Sequence, residues 1–103
     1  MYDLEYTKPE NIKSAVIDFD KSNDGKYLAG GMTLIPTLKS RLSSPDVLID
    51  LKSANLNSIS VTSSNVVVGS MTKHSEVANS KEVTRSIPSL SHLAGRIGDH
   101  MVR

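Results

Sequence analysis

Two adjacent glycines, Gly30 and Gly31, stand between a short apolar run (Tyr27, Leu28, Ala29) and an amphipathic stretch that begins after Thr33 and extends to Leu42. That order predicts a strand, a tight glycine turn and a helix start. Glycine permits positive φ and removes the Cβ atom that would hold a ligand away from the backbone. Such a turn gathers unpaired N–H groups and the positive end of a helix dipole at one spot, which suits a phosphate or pyrophosphate. Thr33 is placed either to cap the helix or to offer its hydroxyl to a phosphate oxygen. A purely structural turn with Thr33 as a plain N-cap accounts for the same residues, and the spacing by itself leaves both readings open.

The rest of the chain extends this grammar on both sides. Leu4-Glu5-Tyr6 alternates as a short strand does. Thr7-x-x-Glu10 matches a capping box with Pro9 inside the first turn, and Ile12, Ala15, Val16 and Phe19 recur at helical spacing. Together they predict a helix over residues 9–19 with one apolar face. After the break at Ser22-Asn23-Asp24-Gly25, residues 26–29 read as the second strand and residues 33–42 as a helix, with Pro36 tolerated in its first turn. Residues 47–51 are almost wholly apolar, as expected for a parallel strand covered on both faces. The β-α-β-α-β order predicts one mostly parallel sheet from the three strands.

Beyond residue 55 the pattern changes. Residues 58–62 and 66–68 flank Ser63-Ser64-Asn65 and read as a β-hairpin. A short helix is predicted over residues 74–78, with Thr72 or Ser75 as its cap. Residues 81–87 and 88–97 read as two more helices, the second with an apolar stripe of Leu90, Leu93, Ala94 and Ile97. The expected fold class is α+β: a small βαβαβ lobe with a mostly parallel sheet, plus a hairpin and C-terminal helices, in one domain over residues 1–103.

Composition narrows the chemistry. Aromatic residues make up only 4% of the chain, so the core must be built from Leu, Ile and Val. A net charge of +1 is too balanced to argue for nucleic acid or an anionic membrane surface. The absence of cysteine excludes disulfides, thiolate catalysis and Fe–S ligation within these residues, and agrees with a cytoplasmic setting. No basic leader and no apolar run near the roughly 20 residues of a membrane span is present. Asp46, Asp50, Glu76 and Asp99 are scattered and suggest no general acid–base pair. His74, His92 and His100 have no second ligand at metal spacing. Lys39 and Arg41 read as solvent-facing complements to a helix C-terminus, with approach to a phosphate as the alternative.

Residues 27–42 (Tyr-Leu-Ala-Gly-Gly-Met-Thr-Leu-Ile-Pro-Thr-Leu-Lys-Ser-Arg-Leu) are followed by Pro45-Asp-Val-Leu-Ile-Asp-Leu51. Further on come Val68-Gly-Ser-Met-Thr-Lys-His-Ser-Glu-Val-Ala78 and Ile97-Gly-Asp-His-Met-Val-Arg103. In that order and spacing they resemble the FAD-binding medium subunit of the molybdenum hydroxylases, of the aerobic carbon monoxide dehydrogenase and xanthine dehydrogenase type. The resemblance runs from Tyr2 to Arg103. It implies the first lobe of a PCMH-type FAD-binding domain. The N–H groups of Gly30, Gly31, Met32 and Thr33 would hold the FAD pyrophosphate, while Ala29, Leu34 and Ile35 shape the pocket. The family often carries Thr, His or Asn at the position of Met32, a departure that matters little where the backbone makes the contact.

The resemblance also places Thr72 and His74 near the flavin; read without it, His74 is a polar residue that packs or caps at a helix start. His100-Met101 stands where the family often has Pro-Gln. The implied partners are an Fe–S small subunit and a molybdopterin large subunit, with FAD passing electrons from the clusters to an acceptor. No residue here would act as a catalytic acid or base. In the family, the segment like residues 97–103 runs into a second glycine-rich loop, so residues 1–103 are expected to be an N-terminal lobe cut before it. The rival expectation is a non-catalytic subunit-docking module that binds no flavin as an isolated fragment.

Overall fold

The computed structural model describes residues 1–103. The chain divides into two compact units, Met1–Asn55 and Leu56–Arg103.

The first unit contains β1 (Glu5–Thr7), α1 (Ile12–Lys21), β2 (Gly25–Leu28), α2 (Leu34–Lys39) and β3 (Val47–Asp50). The strands form one three-stranded sheet in the order β1-β3-β2, with both pairings parallel. All four residues of β3 are buried, as its apolar run requires of a central parallel strand. Ile49 is completely buried and packs with Val47 and with Ala15 of α1, and Leu51 covers the edge of this cluster. The small side chain of Ala15 is what lets the helix come down onto the sheet.

Three local expectations in this unit are corrected. Thr7 is the last residue of β1 and does not cap a helix. The cap is Asn11, whose side-chain oxygen accepts from the Ser14 N–H at 2.8 Å, and α1 therefore starts at Ile12 instead of residue 9. The physical reason is that Pro9 disfavours helical backbone at Lys8, so the helix can begin only after the proline. Second, of the apolar face on α1 only Ala15 is buried; Ile12, Val16 and Phe19 are exposed, and Phe19 stacks on Tyr27 with ring centroids 4.9 Å apart. Third, α2 ends at Lys39 rather than Leu42. Leu42 N–H donates to the Thr37 carbonyl and Arg41 N–H to that of Leu38, a Schellman closure with Arg41 at φ +57° in the position usually held by glycine.

The second unit contains β4 (Ile59–Val61), β5 (Val66–Val68), α3 (His74–Asn79), α4 (Lys81–Ser86) and α5 (Pro88–Gly95). The strands pair antiparallel as the expected hairpin, with Val61 opposite Val66. The Thr62 hydroxyl accepts from Asn65 N–H and orders its loop. Val77, Val83 and Ala94 form the core, with Ile59, Val66, Ala78 and Leu90 packed against it. Ser80 caps α4 by accepting from Val83 N–H at 3.2 Å, and Pro88 opens α5 where its missing N–H costs nothing. Gly69 is required by close packing: a Cβ there would lie 2.2 Å from the Leu56 carbonyl oxygen.

Two expectations change here as well. Neither Thr72 nor Ser75 caps α3, whose N-cap is Lys73 without a side-chain bond. On α5, Leu93 is 68% exposed, and Ser91 takes the inward place between Leu90 and Ala94. Burial of Ser91 is tolerated because its hydroxyl donates to the Pro88 carbonyl.

Candidate functional site

Residues 29–33 connect β2 to α2 at the C-terminal edge of the parallel sheet, the edge at which open α/β sheets place their ligands. Gly31 has φ +77°, the left-handed conformation expected from the glycine pair. Its carbonyl accepts from Ile35 N–H at 3.0 Å, which starts the helical turn ahead of α2. The N–H groups of Gly30, Gly31, Met32, Thr33 and Leu34 donate to no acceptor in the chain. Backbone donors without partners at an exposed turn form a cradle for an anion.

The two glycines serve different ends. A Cβ on Gly31 would lie 2.7 Å from Ile35 Cγ1 and 3.3 Å from Leu28 Cδ1, inside the unit's own packing. A Cβ on Gly30 would meet nothing within 4 Å. Gly31 is therefore glycine for the fold, and Gly30 leaves open the space above the loop.

The helix contributes less than its sequence suggested. With six residues, α2 has a weak dipole and adds little to what the unpartnered N–H groups of the loop offer. Thr33 makes no side-chain cap, and its hydroxyl bonds to no other group of the chain; its carbonyl accepts from both Thr37 N–H and the Thr37 hydroxyl. Arg41 is directed elsewhere, with its guanidinium 5.2 Å from the centre of the Tyr2 ring.

Ala29, Gly30, Gly31, Met32, Thr33, Leu34 and Ile35 thus form one continuous loop in the first unit, with Leu34 and Ile35 half-buried and Met32 exposed. Thr72 and His74 belong to the second unit. The Thr72 hydroxyl accepts from Ser58 N–H at 3.0 Å and donates to the Ser58 carbonyl at 3.1 Å, and so joins its loop to the residue before β4. His74 opens α3, exposed and without a side-chain hydrogen bond, so it neither packs nor caps. The next N–H of α3, on Ser75, donates to the Arg103 carbonyl.

A pair that sequence reasoning passed over lies beside the loop. Asp50 ends β3 opposite Leu28 and is 9% exposed. One carboxylate oxygen accepts from the Tyr6 hydroxyl and the other from Lys52 N–H at 2.9 Å. Burial pushes the Asp50 carboxyl up, but the Tyr6 hydroxyl, the Lys52 amide and the charges of Lys8 and Lys52 outweigh this and hold it below the usual carboxylate range. The same hydrogen bond, with desolvation and the Asp50 charge, raises Tyr6 above 10.0. The available signal was a single acid closing an otherwise apolar run.

These shifts set a pH window for stability. The depressed Asp50 contributes fully above its unfolded value of about 3.9 and loses its contribution as pH falls through its folded value. The raised Tyr6 contributes fully below about pH 10 and loses its contribution as pH rises through its folded value. Tyr6→Phe is accordingly expected to destabilise by a constant amount between about pH 5 and 9, with the gap to wild type narrowing beyond both ends. Urea unfolding across that range measures it; a gap independent of pH would show that the pair is not coupled.

No cluster of His, Cys, Asp or Glu is arranged to hold a metal ion, and no helix is long and apolar enough to cross a membrane. A surface hollow of the first unit lies at the N-terminal edge of the sheet, among Glu5, Asp18, Lys21 and Asp46. The glycine loop is an open cradle and not a closed pocket.

Residues 2–103 match the family described as FAD binding domain in molybdopterin dehydrogenase. The chain is 36% identical over 102 residues to the carbon monoxide dehydrogenase medium chain of Hydrogenophaga pseudoflava, covering 97% of this chain and 36% of that one. It is 30% identical to the glyceraldehyde dehydrogenase medium chain of Sulfolobus acidocaldarius, covering 98% of this chain and 36% of the relative. A solved carbon monoxide dehydrogenase from Hydrogenophaga pseudoflava, lacking the Mo-pyranopterin moiety, superposes with a TM-score of 0.89 at 35% identity, over 99% of this chain and 36% of that one. The chain thus spans about a third of the length of these relatives. With a parallel sheet, a glycine loop at its C-terminal edge and a family match over nearly every residue, the chain belongs to the FAD-binding domains of the molybdopterin dehydrogenases.

Proposed function

We propose that residues 29–35 hold the pyrophosphate of FAD in the flavoprotein subunit of a multi-subunit molybdenum-containing dehydrogenase. The observation that carries this reading is the run of five N–H groups without acceptors, from Gly30 to Leu34, at the edge of the sheet where Gly30 leaves open space. The N–H groups of Gly30, Gly31, Met32 and Thr33 bind the phosphate oxygens, and the Thr33 hydroxyl is free to add a further donor. Ala29, Leu34 and Ile35 supply apolar walls. In the second unit His74, whose side chain is unengaged, is the residue available to a flavin, while Thr72 orders its loop.

When bound, FAD would supply redox chemistry between an acceptor and the Fe–S clusters of a small subunit that works with a molybdopterin large subunit. The chain's own residues bind and orient. Residues 1–103 form the N-terminal lobe of the FAD-binding domain, and a second glycine-rich loop from the remaining lobe completes the site in a cytoplasmic enzyme. The names of the relatives, medium chains of carbon monoxide and glyceraldehyde dehydrogenases, support this placement. The exposed apolar residues of α1 favour a second role in docking, which the 103 residues retain even without flavin.

The test is a chimera in which residues 1–103 replace the matched third of the Hydrogenophaga pseudoflava medium chain. After mixing with FAD and desalting, it is expected to retain about one flavin per chain, read by absorbance. A folded, colourless chimera would overturn the reading.

A further inference from the structure

We propose that Asp50 is a positioning residue for the glycine loop: clamped between the Tyr6 hydroxyl and the Lys52 amide, it holds Leu51 against the end of β2 and so sets the geometry of residues 29–35. This rests on the phosphate-binding reading of that loop.

The chain of contacts is short and lies wholly in the first unit. Asp50 is the register partner of Leu28, the last residue before the loop. By accepting from Lys52 N–H at 2.9 Å it closes a turn over Leu51. Within that turn Leu51 N–H donates to the Leu28 carbonyl at 2.9 Å, the final backbone bond tying β2 to the centre of the sheet. The Leu28 side chain in turn lies beneath Gly31, where it and Ile35 fill the space a Cβ would need. Gly31 then launches α2 through its bond from Ile35 N–H. Tyr6, from the opposite side of β3, fixes the carboxylate in place.

A buried carboxylate is an unfavourable neighbour for an anion unless it is neutralised. Here both its oxygens are occupied by donors, and Lys8 and Lys52 lie close enough to favour its charge. The loop gains a rigid anchor at little electrostatic cost.

Hydrogen exchange followed by NMR on the 103-residue chain tests the coupling. The Leu51 and Ile35 amides report the two links, and the Glu5 amide, bonded to the Asp46 carbonyl at the far edge of the sheet, is the control. Asp50→Ala is expected to speed exchange at Leu51 and Ile35 by about tenfold and to leave Glu5 unchanged. Asp50→Asn, which can still accept from Lys52 N–H, should restore most of the protection. Uniform acceleration including Glu5, or an unchanged Ile35, would overturn the proposal. Should Asp50→Ala not fold, Tyr6→Phe serves: faster exchange at Leu51 and Ile35 supports the coupling and no change refutes it. Inorganic pyrophosphate added to the wild-type chain tests the underlying reading separately. It should shift the Met32 and Thr33 amide resonances, and less so in Tyr6→Phe. A wild-type chain silent to pyrophosphate, with Ile35 still loosened by substitution, would count against the phosphate reading and leave the coupling standing.

Discussion

Gly31→Val in the chimera is expected to weaken FAD binding by about a hundredfold, equivalent to about 3 kcal/mol. The loss has two sources. Gly31 has φ +77°, a conformation that a β-branched residue adopts only under strain. Its new Cβ would also stand 2.7 Å from Ile35 Cγ1, forcing the first turn of α2 to shift and spoiling the alignment of the N–H cradle. The sequence suggested that valine at position 31 would collide with the ligand. The structure corrects this, because that side chain would point into the unit's own packing. If the loop holds the pyrophosphate as proposed, the direct collision belongs to Gly30, whose Cβ would enter open space. Gly30→Val should therefore keep the stability of the unit and still reduce affinity, whereas Gly31→Val should reduce both. Flavin fluorescence quenching and urea unfolding of the two variants separate the effects. Unchanged affinity in both would remove the loop from the site.

The 103-residue chain alone is expected to bind FAD about a thousandfold more weakly than the chimera, a difference of about 4 kcal/mol. The cradle can satisfy part of a pyrophosphate, but residues 29–33 are largely exposed. An isoalloxazine ring needs apolar walls on most of its surface to leave water. Titration of FAD against both lengths measures the difference. Comparable affinity would show that the 103 residues hold the ring by themselves.

Much of this architecture was legible from local patterns. The strand patterns at residues 26–29 and 47–51, set in a β-α-β-α-β order, announced parallel strands, and both segments pair in one sheet. The glycine pair announced a left-handed turn, and Gly31 adopts one. The resemblance in residues 27–42, 45–51 and 68–78 named the FAD-binding family that the whole-chain match establishes. Other expectations failed where two local motifs competed for one role. Thr7 and Asn11 are both good caps, and Asn11 prevails because Pro9 disfavours helical backbone at Lys8, next to Thr7. Thr72 could cap α3, yet its hydroxyl is taken by Ser58, which lies 14 residues away in sequence.

By itself the sequence determined the order and kind of the elements, the parallel sense of the first sheet and the place of the left-handed glycine turn. Each of these follows from side-chain period, turn chemistry and connection length, which act within a few residues. Only the tertiary structure decided that β3 lies at the centre, that the face of α1 holding Val16 and Phe19 stays uncovered, and that α2 stops after six residues. It alone also joined Asp50 to Tyr6, 44 residues apart, beside the exit of β2. A carboxylate at the end of an apolar run is buried where donors reach both its oxygens; Lys52 N–H is local, but no pattern along the chain specifies which strand brings the second.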